Sequence, residues 1–180
     1  MARPPLARER VLDAFEEILL HDGERAATLE STAKQAGVSK GGLLYHFASK
    51  DDLAAGLIDR LRSLVADDLV AMADAPDGPV AYYVRTSVME NDPLDRALIA
   101  VSRLAQTGSS EAADALAATR RSWGDAIRPH VRDQAAFELV MLVSDGLYYN
   151  NSLGFNGPDA LVPDGEDLER LVELVARSTT

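Results

Sequence analysis

The chain contains no cysteine. That removes disulfides, thiolate metal sites and cysteine nucleophiles, and it suits a reducing compartment. Histidine is scarce: His21, His46 and His130 stand far apart, and no His-x3-His or Glu-x-x-His pair shares a helix to hold a metal. Neither a P-loop, a dinucleotide fingerprint nor a nucleophile elbow is present. The expectation is therefore a protein that is not an enzyme and needs no cofactor and no metal. No apolar run is long enough to span a membrane, and the opening "MARPPLARER" has charge without an apolar stretch behind it. These features predict a soluble, cytoplasmic protein. Lysine is the most telling scarcity. Only Lys34, Lys40 and Lys50 occur, all between Thr28 and Lys50, and every other basic residue is arginine.

What is present is ordinary globular material. The 180 residues are 47% apolar and 26% charged, enough for one domain with a real core or two small ones sharing a helix. The net charge of -11 argues at first against nucleic acid, since a polyanion repels an acidic body. Its distribution matters more. Residues 1–60 carry 8 basic and 10 acidic side chains, whereas residues 61–180 carry 10 and 19. The lysine window is positive, with Glu30 its one acid.

Nearly every segment carries a helical period. Val11, Leu12, Phe15, Ile18 and Leu19 mark one face of a first helix that ends near His21-Asp22-Gly23. Thr28 is suited to cap a short helix over 29–36, and Gly37 to end it in the left-handed conformation. Ser39 caps a third helix through about Phe47. Ser49 caps a fourth, which runs to about Ala73 with Asp51 and Asp52 in its first turn. Further helices are expected over 80–90, 93–106, 110–129, 132–153 and 166–177, with a Gly/Pro-rich loop before the last. The fold class is all-α with about nine helices: an N-terminal three-helix domain over 1–50 and a helical bundle over 51–180.

Two short helices joined by a tight turn read as helix-turn-helix. Ala33 offers the small residue at the crossing, Gly37 the positive φ, and Val38 and Leu43 the buried contact. In such a unit the second helix enters the major groove by its N-terminal end. There Ser39, Lys40, Gly41 and Gly42 are expected to be exposed. Two glycines cost a helix about 1 kcal/mol each relative to alanine. Close approach of the backbone to a phosphate or a base edge offsets that cost; a loosely wound first turn is the plainer reading. Tyr45 and His46 can donate to phosphate oxygens, although a half-buried core ring and a solvated imidazole are the commoner fates of such residues. Lys50 opens the next helix, where its charge and the free N–H groups can hold another phosphate.

The run "TLESTAKQAGVSKGGLLYHFASKDDL" resembles the DNA-binding segment of the TetR family of bacterial repressors. The likeness extends over about residues 6–57. The rest is similar only in being helical and of suitable length. The resemblance implies phosphate contacts from Thr28, Ser39, Tyr45, His46 and Lys50, and groove contacts from Lys40, Gly41 and Gly42. Leu44 departs from the pattern, standing where many members carry a second aromatic, and so does Thr32, where an aliphatic residue is usual. With no side chain at Gly42, part of the specificity would come from DNA shape. The implied function is a ligand-responsive transcriptional regulator, a repressor released from a palindromic operator by a small molecule. A helical protein-interaction module without DNA binding is the alternative, and it leaves the Ser39–Lys50 arrangement unexplained.

Two further sets are drawn from the C-terminal part. Leu139, Val143 and Leu147, with Leu168, Leu171, Val172 and Val175, form apolar stripes that serve either monomer core or a homodimer interface; the resemblance implies the latter. Tyr82, Met89, Trp123, Phe137, Met141, Tyr148 and Tyr149 supply adaptable, amphipathic walls for a small-molecule pocket; core is the commoner fate of each, with Trp123 and the pair Tyr148-Tyr149 the better candidates for the wall.

Overall fold

The computed structural model describes residues 4–88, 91–152 and 162–180. Among them every regular element is helical: α1 (Pro4–His21), α2 (Leu29–Ala36), α3 (Lys40–His46), α4 (Lys50–Ala73), α5 (Pro79–Thr86), α6 (Pro93–Gln106), α7 (Ser110–Ile127), a 3-10 turn (Arg128–His130), α8 (Gln134–Ser152) and α9 (Gly165–Thr179). The chain divides into two compact units. One comprises Met1–Leu64 with Pro93–Ala118, the other Val65–Asp92 with Thr119–Thr180, so the boundary falls inside α4 and inside α7.

In the first unit α1 packs on α2, α3 and α6. Its stripe of Val11, Leu12, Phe15, Ile18 and Leu19 is at most 3% exposed, and Leu43, Leu53, Leu57 and Leu61 are fully buried. Each such side chain contributes about 1.5–3 kcal/mol. A polar lattice surrounds this core. Arg60 of α4 reaches Glu9 at 2.9 Å, Asp13 at 2.8 Å and Glu16 at 3.2 Å, all on α1. Arg96 of α6 meets the other oxygen of Glu16 at 3.0 Å and also holds Glu17. Glu16 is only 5% exposed, so its charge requires both guanidinium groups.

In the second unit α5 packs on α8 and α9, and α8 on α9. Met72, Val80, Tyr83, Val84, Ile127, Val140, Met141, Leu147, Val172 and Val175 make its core. Arg85 of α5 is held by Asp77 at 2.6 Å and by Glu169 of α9 at 2.7 Å. Two expected helices prove shorter. The helix expected over 80–90 ends at Thr86, because Ser87 donates its side chain to the Tyr83 carbonyl at 2.6 Å and Thr86 reaches the Tyr82 carbonyl at 3.0 Å. The helix expected to reach 129 stops at Ile127, since Pro129 has no N–H to continue it and the chain tightens to 3-10. Residues 153–161, most of the Gly/Pro-rich loop, lie outside the described residues.

Candidate nucleic-acid interface

The corner between α2 and α3 is built from local hydrogen bonds. Thr28 Oγ1 accepts from the Ser31 N–H at 3.1 Å, and the Ser31 hydroxyl accepts from the Thr28 N–H at 3.0 Å, a reciprocal capping box. At the other end of α2, Gly37 has φ +64°. The Val38 N–H donates to the Ala33 carbonyl at 3.0 Å and the Gly37 N–H to the Lys34 carbonyl at 3.2 Å, a Schellman closure. Arg10 of α1 donates to the Ala36 carbonyl and secures that end. Ser39 then caps α3 by accepting from the Gly42 N–H at 3.0 Å. Leu43, wholly buried, pins α3 to the core, so α3 presents a defined face.

That face carries the expected donors. Lys40, Gly41 and Gly42 are exposed, as are Ser39 and Thr28. Tyr45 is 82% exposed, so it is not the half-buried ring that the plainer reading called for. It meets the half-buried His46 edge-on, ring centroids 5.1 Å apart. Leu44, 40% exposed, stands beside them. The two glycines differ. A Cβ on Gly42 would lie 3.3 Å from the Ser39 hydroxyl oxygen that caps α3, whereas a Cβ on Gly41 would meet nothing within 4 Å. Nothing in the described protein requires glycine at 41.

Lys50 is placed differently from the expectation of a free phosphate-binding ammonium. Its Nζ donates to the Glu24 carbonyl at 2.7 Å and meets the Glu24 carboxylate at 2.6 Å, closing the loop after α1 onto the start of α4. In the first turn of α4 the Ser49 hydroxyl accepts from the Asp52 N–H at 3.1 Å and donates to the Asp52 carboxylate at 2.9 Å.

The second unit distributes the expected pocket residues among different surroundings. Tyr82 and Trp123 converge on one carboxylate: the Tyr82 hydroxyl donates to Asp68 at 2.9 Å and Trp123 Nε1 donates to Asp68 at 2.8 Å. Tyr83 lies against Trp123 with centroids 5.7 Å apart. Burial first, and the Asp68 carboxylate second, push the Tyr82 hydroxyl up to about 12. Burial likewise raises Tyr83, helped by Asp145 and Asp68 and opposed by Arg120. Met141 is 2% exposed and belongs to the core, and Phe137 packs over Gly124 with Arg128 stacked 3.9 Å from its ring centroid. Tyr148 is half-buried. Tyr149 is 63% exposed and shares an outer face of α8 with Leu139 and Leu142. Met89 lies outside the described residues. Asp68 was missed in the sequence, yet a signal existed. It falls at i+3 from Val65 and four before Met72, on the stripe where both neighbours are buried.

Of the expected interface stripes, three residues are core in the single chain and Leu139 is exposed. Leu147, Val172 and Val175 are 7%, 2% and 4% exposed, covered by the unit's own core. Val143, Leu168 and Leu171 pack half-buried against that core. α9 packs against α5 and α8, which buries Val172 and Val175. What remains outward is Leu139, Leu142 and Tyr149 on α8 and Leu174 on α9, at 42%, 67%, 63% and 50%.

Comparison with known proteins bears on both units. Residues 11–57 match the family model described as bacterial regulatory proteins, tetR family, and residues 77–176 match the tetracyclin repressor-like C-terminal domain. The chain is 37% identical over 73 residues to the HTH-type transcriptional regulator AlkX of Mycobacterium tuberculosis, covering 41% of this chain and 35% of that one. It is 36% identical over 86 residues to the uncharacterized HTH-type transcriptional regulator TtgW of Pseudomonas putida, covering 40% of this chain and 64% of that one. The match thus spans about a third of one relative and less than two thirds of the other. In fold it is similar to the crystal structure of a bacterial regulatory protein in the tetR family from Rhodococcus RHA1, with a TM-score of 0.68 at 18% identity over 95% of each chain.

Proposed function

The chain belongs to the TetR family of bacterial regulatory proteins, and from that premise we propose that it is a homodimeric transcriptional regulator. Its α3 enters the major groove of a palindromic operator, and a small molecule bound in the second unit releases it. The observation that carries the DNA-binding part is the open face of α3. Lys40, Gly41, Gly42 and Tyr45 stand exposed on a helix fixed from beneath by Leu43, at its start by the Ser39 hydroxyl and at its end by the Phe47 N–H. Gly41 and Lys40 allow the first turn to approach the base edges. Thr28, Ser39, Tyr45 and His46 would then hydrogen-bond phosphates on either side. Lys50 acts here through Glu24, holding the loop before α2 to α4, rather than by direct contact with DNA.

One short helix cannot bind an operator tightly alone; two copies on a dyad read half-sites about 34–36 Å apart. The outward residues Leu139, Leu142, Tyr149 and Leu174 suit the contact between copies. Effector binding then acts by preferring one spacing of the two α3 helices over another, and it shifts operator affinity only by its differential affinity for the two states. α4 runs from the capped turn after α3 to the edge of the aromatic cluster, which makes it the element to carry that preference. Such a protein works in the cytoplasm, where its DNA is. Among the described residues no helix is long and apolar enough to cross a membrane.

Selection of bound duplexes from a random pool tests the reading. Enrichment of a palindrome with half-sites about one turn apart is expected. Absence of any enriched sequence would return the chain to the class of protein-interaction modules.

A further inference from the structure

The open face of α3 carries one side chain that phosphate contacts cannot use. Among the described large hydrophobic side chains of the first unit, Leu44 and Tyr45 alone stand exposed, at 40% and 82%, and both lie on α3. Tyr45 ends in a hydroxyl that can meet a phosphate. Leu44 has no polar atom and can neither donate nor accept. Its neighbour Leu43 is fully buried and already fixes α3 to the core, so the fold does not need a second leucine there. Helical spacing puts Leu44 on the row of Lys40, four residues earlier, and beside Gly41, three residues earlier. Lys40 is exposed, and a Cβ on Gly41 would meet nothing within 4 Å. The isobutyl group of Leu44 therefore stands one turn beyond the bare stretch that approaches the base edges in the proposed docking.

The major groove offers little that such a group can match. Its base edges are lined by hydrogen-bonding atoms, with one apolar exception, the C5-methyl of thymine. The sequence of α3, KGGLLYH, has no Asn or Gln to hold adenine and no Asp or Glu to accept from cytosine. Its exposed side chains leave guanine to Lys40 and thymine to an apolar contact. Leucine pressed on a polar edge would strip that edge of water and return no hydrogen bond. Leucine pressed on a methyl removes apolar surface from water on both sides. We infer that Leu44 is a specificity-determining residue that packs on the C5-methyl of one thymine in each operator half-site. This rests on the proposed docking of α3 and names the base feature that the helix selects.

In the selected operator each thymine is replaced by 2′-deoxyuridine, in both half-sites together. The exchange removes the methyl and keeps the pairing and the hydrogen-bonding edge. Affinity for the full chain and for Leu44→Ala is read by fluorescence anisotropy. A buried methyl is worth about fourfold in each half-site, so one thymine pair should cost the unaltered chain about fifteenfold when replaced. Leu44→Ala should bind the thymine and uracil duplexes within about twofold of each other at that position, having lost the partner of the methyl. Leu44→Gln keeps the length of the side chain but ends in an amide, and the same loss of preference is expected of it. Circular dichroism checks that both variants fold, and either one suffices. Three results would overturn the inference: selected half-sites without thymine, no thymine whose replacement weakens the unaltered chain, or a thymine preference that survives in the folded variant. If the selection yields no operator, the docking of α3 falls and this inference falls with it. A selected operator indifferent to its methyl groups removes this inference alone.

Discussion

Gly41 and Gly56 are both helical glycines, and they have opposite causes. A Cβ at 56 would lie 2.9 Å from Phe47 and 3.1 Å from Leu12, so the packing of α4 against α1 and the end of α3 excludes one. Gly56→Ala should destabilise the chain by about 1–3 kcal/mol, read as a lower urea midpoint. At Gly41 the added methyl meets nothing. Gly41→Ala should stabilise the free protein by up to about 1 kcal/mol through helix propensity, yet weaken operator binding. Higher stability with unchanged affinity would mean that the backbone at 41 stays clear of DNA. Thr32 offers a third case. It is wholly buried and its hydroxyl has no hydrogen-bond partner among the described residues. Thr32→Val keeps the shape and removes the orphan hydroxyl, so a gain of about 1 kcal/mol is expected in the same urea titration. The aliphatic residue usual in the family at this position is consistent with that direction.

At the scale of elements, short-range chemistry was legible and the facing of long helices was not. Thr28, Gly37, Ser39 and Ser49 each announce a helix end through a bond to a neighbour three or four residues away, and each is found there. The exposed set on α3 follows from the same local spacing. The stripes of α8 and α9 were legible as apolar but not as inward or outward, since period alone does not say whether a neighbour belongs to the same chain. The pairing of Lys50 was not legible for a related reason: Glu24, its partner, is 26 residues away. The outward set on α8 carries its own test. Leu142→Asp should convert a dimer to a monomer in sedimentation without loss of helix, whereas Val175→Asp, inside the core, should unfold the second unit. The ion pairs between elements set the acid limit. Arg96 holds Glu17 below its ordinary 4.5, and Arg85 holds Asp77 below its ordinary 3.8. A carboxyl lowered on folding stabilises fully above its unfolded value and loses that contribution as pH falls through the folded one. The urea midpoint should therefore be flat from pH 7 to 5 and drop below about 4.5. At the alkaline end the sign reverses. Tyr82, raised to about 12, contributes below pH 10 and loses that contribution between about 10 and 12.

For the whole molecule the governing fact is where the charge sits. Net charge beyond residue 60 is strongly negative, and the three lysines lie on α2, on α3 and at the start of α4. Under the proposed reading, duplex DNA would be repelled by the acidic part of the chain and admitted at the face of α3, which favours a defined register over diffuse attachment. The direct test is the affinity of the full chain for its selected operator, measured by fluorescence anisotropy across a salt series, beside Lys40→Ala. Loss of at least tenfold in affinity, with the slope of log K against log salt reduced by about 1, is the expected result. Equal affinity and equal slope for the two proteins would contradict the docking of α3 on DNA.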